Sequence, residues 1–216
     1  MAQTAARVSF GENWLIVDEL KGLRDTDAVT THSQRAALNR SGIIFLITAW
    51  EAYIEDVAIE VADHIAERCE KYNDLPYQLK SIISDGVPRK WQLSDVADGG
   101  WRDIVSSNAR TLTSGNKFNT PNRENTDDLL KKVVGIPKIS DYWAWQSFPV
   151  PRAAERLDES IGIRGEIVHT GRKPDGLNKR WLLTYGNNIE GLVEKTDAAL
   201  LQHAYEVTGW SMAVYE

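Results

Sequence analysis

Apolar residues recur along this chain at steps of three and four, which predicts helices through most of its length. Phe10, Trp14, Val17, Leu20 and Leu23 make one face of a first helix over 7–24, broken by Asp25-Thr26-Asp27. Thr31 or Ser33 is placed to cap the next. That second helix is the longest element. Its stripe of Ile43, Ile47, Trp50, Ile54, Val57, Val61 and Ile65 suits a long helical partner, and it is expected to run to about Tyr72. Gly42 inside it marks a kink or a close approach. Glu51 follows Trp50 at the border of the stripe, where a carboxylate is partly buried.

Short helices are expected over 75–83 and 101–112, and a clearer one over 123–134, with Leu129, Leu130, Val133 and Val134 inward and Gly135 as its stop. An aromatic connector (Tyr142, Trp143, Trp145, Phe148) leads through Pro149 and Pro151 into a further helix. Ala153, Leu157, Ile161 and Val168 line one side of that helix, Ile163 and Ile167 widen it, and Gly171 and Pro174 end it. Residues 175–188 read as a loop with a short extended piece at 181–185. The last helix is expected from about Asn188 to Tyr215, on the stripe Ile189, Val193, Thr196, Leu200, His203, Val207, Trp210 and Val214. Its period matches that of the second helix, so the expected fold is an all-α helical bundle with two long antiparallel helices. One domain over 1–216 is predicted, since no linker or repeat divides the chain.

Composition narrows the class. The 216 residues are 42% hydrophobic and 26% charged, as in a soluble globular protein. No apolar run reaches membrane-spanning length and no signal-peptide layout opens the chain, so a cytoplasmic protein without membrane contact is expected. The single cysteine, Cys69, rules out an intrachain disulfide framework and a multi-thiolate zinc site. The net charge of −6 excludes a wholly basic nucleic-acid coat, but the charge is uneven. Residues 1–75 hold 13 acids against 7 bases, whereas 149–180 hold 7 bases against 5 acids. A local basic strip on an acidic body can still draw in a polyanion.

Candidate chemistry concentrates in Ile161–Gly171, which carries Arg164 and His169 five positions apart, with Gly162 and Gly165 beside the arginine. Arginine offers a fixed cationic fork for phosphate, and histidine is the side chain suited to moving protons near neutral pH. Five helical residues turn about 500°, so the two side chains point about 140° apart. Each glycine costs a helix about 1 kcal/mol relative to alanine. That points either to a close approach by a partner helix or RNA, or to a break near Ile161. Glu51 is placed to orient His169 or pair with Arg164. Arg172, Lys173, Lys179 and Arg180 flank the pair and are candidate contacts to an RNA backbone. Trp143, Trp145 and Trp181 are candidates to stack bases, while Trp14, Trp50 and Trp210 lie on core stripes. His32, His64 and His203 lack ligand spacing and no glycine-rich phosphate loop precedes a helix, so neither metal nor nucleotide cofactor is expected.

The arginine–histidine pair resembles the R-x4–6-H signature of HEPN domains, compact α-helical proteins of which many are ribonucleases. The segments 46–58 (LITAWEAYIEDVA), 117–136 (KFNTPNRENTDDLLKKVVGI) and 161–171 (IGIRGEIVHTG) are similar, in that order, to motifs of the RiboL-PSP-HEPN branch. The resemblance implies a homodimer in which two arginine–histidine motifs meet. It implies metal-independent RNA cleavage by 2′-hydroxyl attack, leaving 2′,3′-cyclic phosphate ends, in a toxin or antiphage effector. The chain departs from the pattern at Gly165, where many active members carry a polar residue, often asparagine. An inactive module that binds RNA or a protein partner, such as an antitoxin or nucleotidyltransferase, is therefore the second expectation.

Overall fold

The computed structural model describes residues 3–86, 99–115, 117–146, 148–171, 178–213 and 215. Among them run seven α-helices and no strand: α1 (Ala5–Arg24), α2 (His32–Arg68), α3 (Tyr77–Gly86), α4 (Trp101–Thr113), α5 (Arg123–Val133), α6 (Val150–Thr170) and α7 (Lys179–Thr208). Short 3-10 turns occupy Tyr72–Asp74 and Ile139–Tyr142.

Helix α2 is the axis of the fold and packs against α1, α4, α5, α6 and α7. Its start is fixed by a capping box: Thr31 accepts from the Gln34 backbone N–H, while the Gln34 side chain accepts from that of Thr31. The predicted stripe from Ile43 to Ile65 is wholly buried. Phe10, Trp50, Tyr53 and Trp143 form an aromatic chain with successive ring centroids 6.0 Å apart, joining α1, α2 and the connector before α6. Gly42 is a close approach: a Cβ there would lie 2.8 Å from Leu182.

Several boundaries differ from the sequence expectation. Helix α2 ends at Arg68, because Cys69 turns extended and its carbonyl accepts from Arg102 Nη2 at 2.7 Å. Residues 179–188, read as loop, are the first turns of α7. Asn178 caps them by accepting from the Trp181 N–H, Gly186 sits under Trp14, and Asn188 donates to the Ala153 carbonyl at 3.2 Å. Tertiary contacts thus override a poor helical propensity over Gly186-Asn187-Asn188. The helix stops at Thr208, where Gly209 takes a left-handed conformation (φ 73°), and Trp210 is exposed rather than core.

The pairing of α2 with α7 is also corrected. Gly42 meets Leu182, Tyr53 donates to the Val193 carbonyl, and His64 meets Thr208, so the two run parallel. A stripe records period but not direction, and no short loop joins these helices to force a reversal. The antiparallel long pairs are α1 with α2, where Ala5 meets Glu60 and Arg24 meets Asn39, and α6 with α7, where Ala153 meets Asn188 and Glu159 meets Tyr185.

Candidate active site on helix α6

Helix α6 starts behind Pro149 with Pro151 in its first turn, and ends at Gly171, whose φ of 63° and N–H bond to Ile167 close the last turn. It runs unbroken through Gly162 and Gly165, so of the two alternatives for these glycines the break near Ile161 is not the one realised. Apart from the helix's own backbone and the neighbouring residues, no described residue lies within 4 Å of the position a Cβ would take at either glycine. No described residue supplies the close approach expected at them. The buried side of α6 is Ala153, Ala154, Leu157, Ser160, Ile163 and Ile167, while Val168, predicted inward, is exposed.

Arg164 points from α6 toward α2. Its Nη2 lies 3.7 Å from Glu51 Oε2, an ion pair too long for a hydrogen bond, between side chains 30% and 18% exposed. The Arg164 Nε is buried with no hydrogen-bond partner among the described residues. Burying a charged donor without an acceptor costs about 1–3 kcal/mol or more, so this orphan needs an explanation. Glu51 feels opposing influences: burial pushes its carboxyl above the usual range and Arg164 pulls it back. One turn on, burial, followed by repulsion from Glu51 and Asp56, pushes the Glu55 carboxyl up to about 7. Glu55 was not singled out in the sequence. The signal available was its i+4 spacing from Glu51 along the same border.

His169, in the last turn, is exposed and makes no hydrogen bond to a described residue. Arg164 and Glu51 are therefore brought together, while His169 stands on another side of the helix. Of the flanking cations, Lys179 is paired with Asp25, Arg180 is exposed, and Arg172 and Lys173 lie outside the described residues. Trp143 is fully buried and donates to Thr196 Oγ1 at 2.9 Å, so it cannot stack a base. Trp145 and Trp181 are partly buried, against Phe148 and Tyr185 respectively. Cys69 is buried and its thiol donates to the Lys71 carbonyl. Among the described residues no group of three or more His, Cys, Asp or Glu side chains is placed to hold a metal ion. No helix there is long and apolar enough to cross a membrane.

A carboxylate-tethered arginine, a bundle built on one long helix and a histidine in the last turn of α6 can be set beside known proteins. The family model described as RiboL-PSP-HEPN matches residues 15–202. The chain belongs to the RiboL-PSP-HEPN family. No curated protein and no solved structure matches it. In this HEPN domain the match spans α2 with Glu51, α6 with Arg164 and His169, and most of α7.

Proposed function

We propose that this protein is a metal-independent endoribonuclease of the HEPN type, acting as a toxin or antiphage effector. The observation that carries the reading is the state of Arg164. Its guanidinium is aimed and half-buried, yet only loosely tethered by Glu51, with Nε left without an acceptor. A phosphate oxygen would meet that need, since an arginine fork and a phosphate match in shape and charge.

His169 and Arg164 diverge on α6, which supports a site completed by a second copy of the chain. The run of exposed Gly162, half-buried Gly165 and exposed Val168 beside His169 gives a second α6 a smooth surface to approach about a two-fold axis. In such a pair one imidazole takes the proton of the ribose 2′-hydroxyl as its oxygen bonds to phosphorus. The bond to the 5′-oxygen breaks, and the other imidazole returns a proton to that oxygen. Arg164 holds the negative charge that builds on the phosphate, and Glu51 keeps the guanidinium in place. The products are a 2′,3′-cyclic phosphate and a 5′-hydroxyl.

Incubation with structured RNA in EDTA tests this. Cleavage to cyclic-phosphate ends is expected, lost in Arg164→Ala and His169→Ala, with a dimer mass by light scattering. Intact RNA throughout would sink the nuclease. The second reading, an inactive HEPN module that binds RNA or a protein partner such as an antitoxin or nucleotidyltransferase, is favoured by Gly165 standing where many active members are polar. It is the outcome if RNA is retarded but never cut.

A further inference from the structure

A second basic feature lies at the opposite end of α6 from His169. Trp145 rests on Gly191 of α7, where a Cβ would come within 2.8 Å of the indole. Phe148 stacks on Trp145, with centroids 4.8 Å apart and planes 14° from parallel. Over the Phe148 ring lie two guanidiniums, those of Arg152 at 5.1 Å and Arg156 at 5.3 Å from its centroid. They come from consecutive turns of one helix face. Neither makes an ion pair with a described carboxylate, although Glu155 and Glu159 are close in sequence. The Glu159 carboxylate instead accepts from the Tyr185 hydroxyl at 2.8 Å.

We infer that Arg152 and Arg156, held by the Trp145–Phe148 stack, form a docking site for the RNA sugar-phosphate backbone, separate from Arg164. This rests on RNA being the substrate, as proposed above, and adds where the strand is gripped outside the reacting phosphate. An arginine packed on an aromatic ring has already lost much of its rotamer freedom, so less is lost when it binds. Its exposed edges still present several N–H donors suited to phosphate oxygens. The pair lies in the basic stretch of an otherwise acidic chain. Arg156 is eight residues before Arg164, about 12 Å along the axis and about 80° around it, close enough for one RNA segment to touch both. An acidic protein surface is the competing ligand, but it would not need two guanidiniums fixed in orientation.

The test is a fluorescence-anisotropy titration of labelled single-stranded RNA against the His169→Ala protein, so that the RNA stays intact, across a salt series. Arg152→Gln/Arg156→Gln is expected to weaken binding about tenfold or more and to reduce the salt slope by about 1.4, the release expected for two single-strand phosphate contacts. Phe148→Leu, with both charges kept, is expected to lose a smaller part of the affinity. Unchanged affinity and slope in the double variant would overturn the docking site while leaving the nuclease reading intact, and would point to a protein anion instead. If the His169→Ala protein binds no RNA, the docking site falls. Cleavage by the parent chain then decides separately whether the nuclease reading falls with it.

Discussion

Two carboxylate sites on the same long helix are finished to different degrees. At the far end of α2, Glu60 accepts from the Ala5 and Ala6 N–H groups at 3.0 and 2.9 Å. Thr4 caps the Arg7 N–H while donating its hydroxyl to Asp197 at 2.5 Å, and Tyr53 donates to the same carboxylate. The orphan donors at the start of α1 are thereby satisfied, and the helix dipole faces two acids. Nine residues before Glu60, Glu51 and Arg164 stand 3.7 Å apart, one guanidinium nitrogen has no acceptor, and the neighbouring Glu55 is half-buried beside Glu51. Complete pairing belongs to a part whose work is to hold helices together. The incomplete pairing at Arg164 fits a place kept for a ligand.

The largest effect that would break this contrast is on activity. In Arg164→Ala and His169→Ala, RNA cleavage is expected to fall by about 10²–10⁴-fold, the range for a positioned acid–base or charge-stabilising group. Arg164→Ala should leave stability within about 0.5 kcal/mol, because the side chain removed includes an unsatisfied donor. A urea midpoint well below the parent's would mean that Arg164 is a structural strut. At the other end, Asp197→Ala is expected to cost about 3 kcal/mol, since it strands a buried threonine hydroxyl and N–H and leaves Arg7 without its 3.8 Å partner. Equal urea midpoints for parent and variant would show that α1 is held by its apolar face alone.

The contrast was half legible in the sequence. The stripe of α2, the Thr31 cap and the border position of Glu51 follow from local periodicity and cap chemistry, which act over a few residues. Asp197 was not legible as a buried acid, because its partners Thr4 and Tyr53 are 193 and 144 positions away. The parallel run of α2 and α7 was hidden for the same reason. The start of α7 was missed because Gly186 and Asn188 are helical only through what they touch, Trp14 and the Ala153 carbonyl. At the site, the divergence of Arg164 and His169 was readable from helix geometry. The missing acceptor for Nε was not, since it is a property of packing.

A smaller effect sharpens the acidic side of the comparison. With its carboxyl pushed up to about 7, Glu55 holds its proton more tightly in the folded chain than in the unfolded one, where 4.5 is the reference. Between those values the unfolded state binds fewer protons, so this group makes stability fall as pH rises, and the loss is complete above pH 7. Glu55→Gln is therefore expected to stabilise the protein at pH 8 by about 1 kcal/mol, a figure reduced for solvent screening of a partly exposed group. It should do little at pH 4. Denaturant midpoints at the two pH values check this, and equal shifts at both would place the effect in packing rather than charge.

A small change in stability, read together with association, separates the two ends most cleanly. Gly165 sits in an unbroken helix with open space where a Cβ would go, so for the isolated chain Gly165→Ala should stabilise α6 by up to about 1 kcal/mol. If the open space is where a second α6 lies, the added methyl group meets the partner's backbone and opposes association. The thermal midpoint measured at low protein concentration should then rise, while the dimer dissociation constant from sedimentation increases about tenfold and RNA cleavage falls with it. A higher midpoint with unchanged association would mean that two copies meet on some other face, and that His169 of one chain is not delivered to Arg164 of the next by this side of α6.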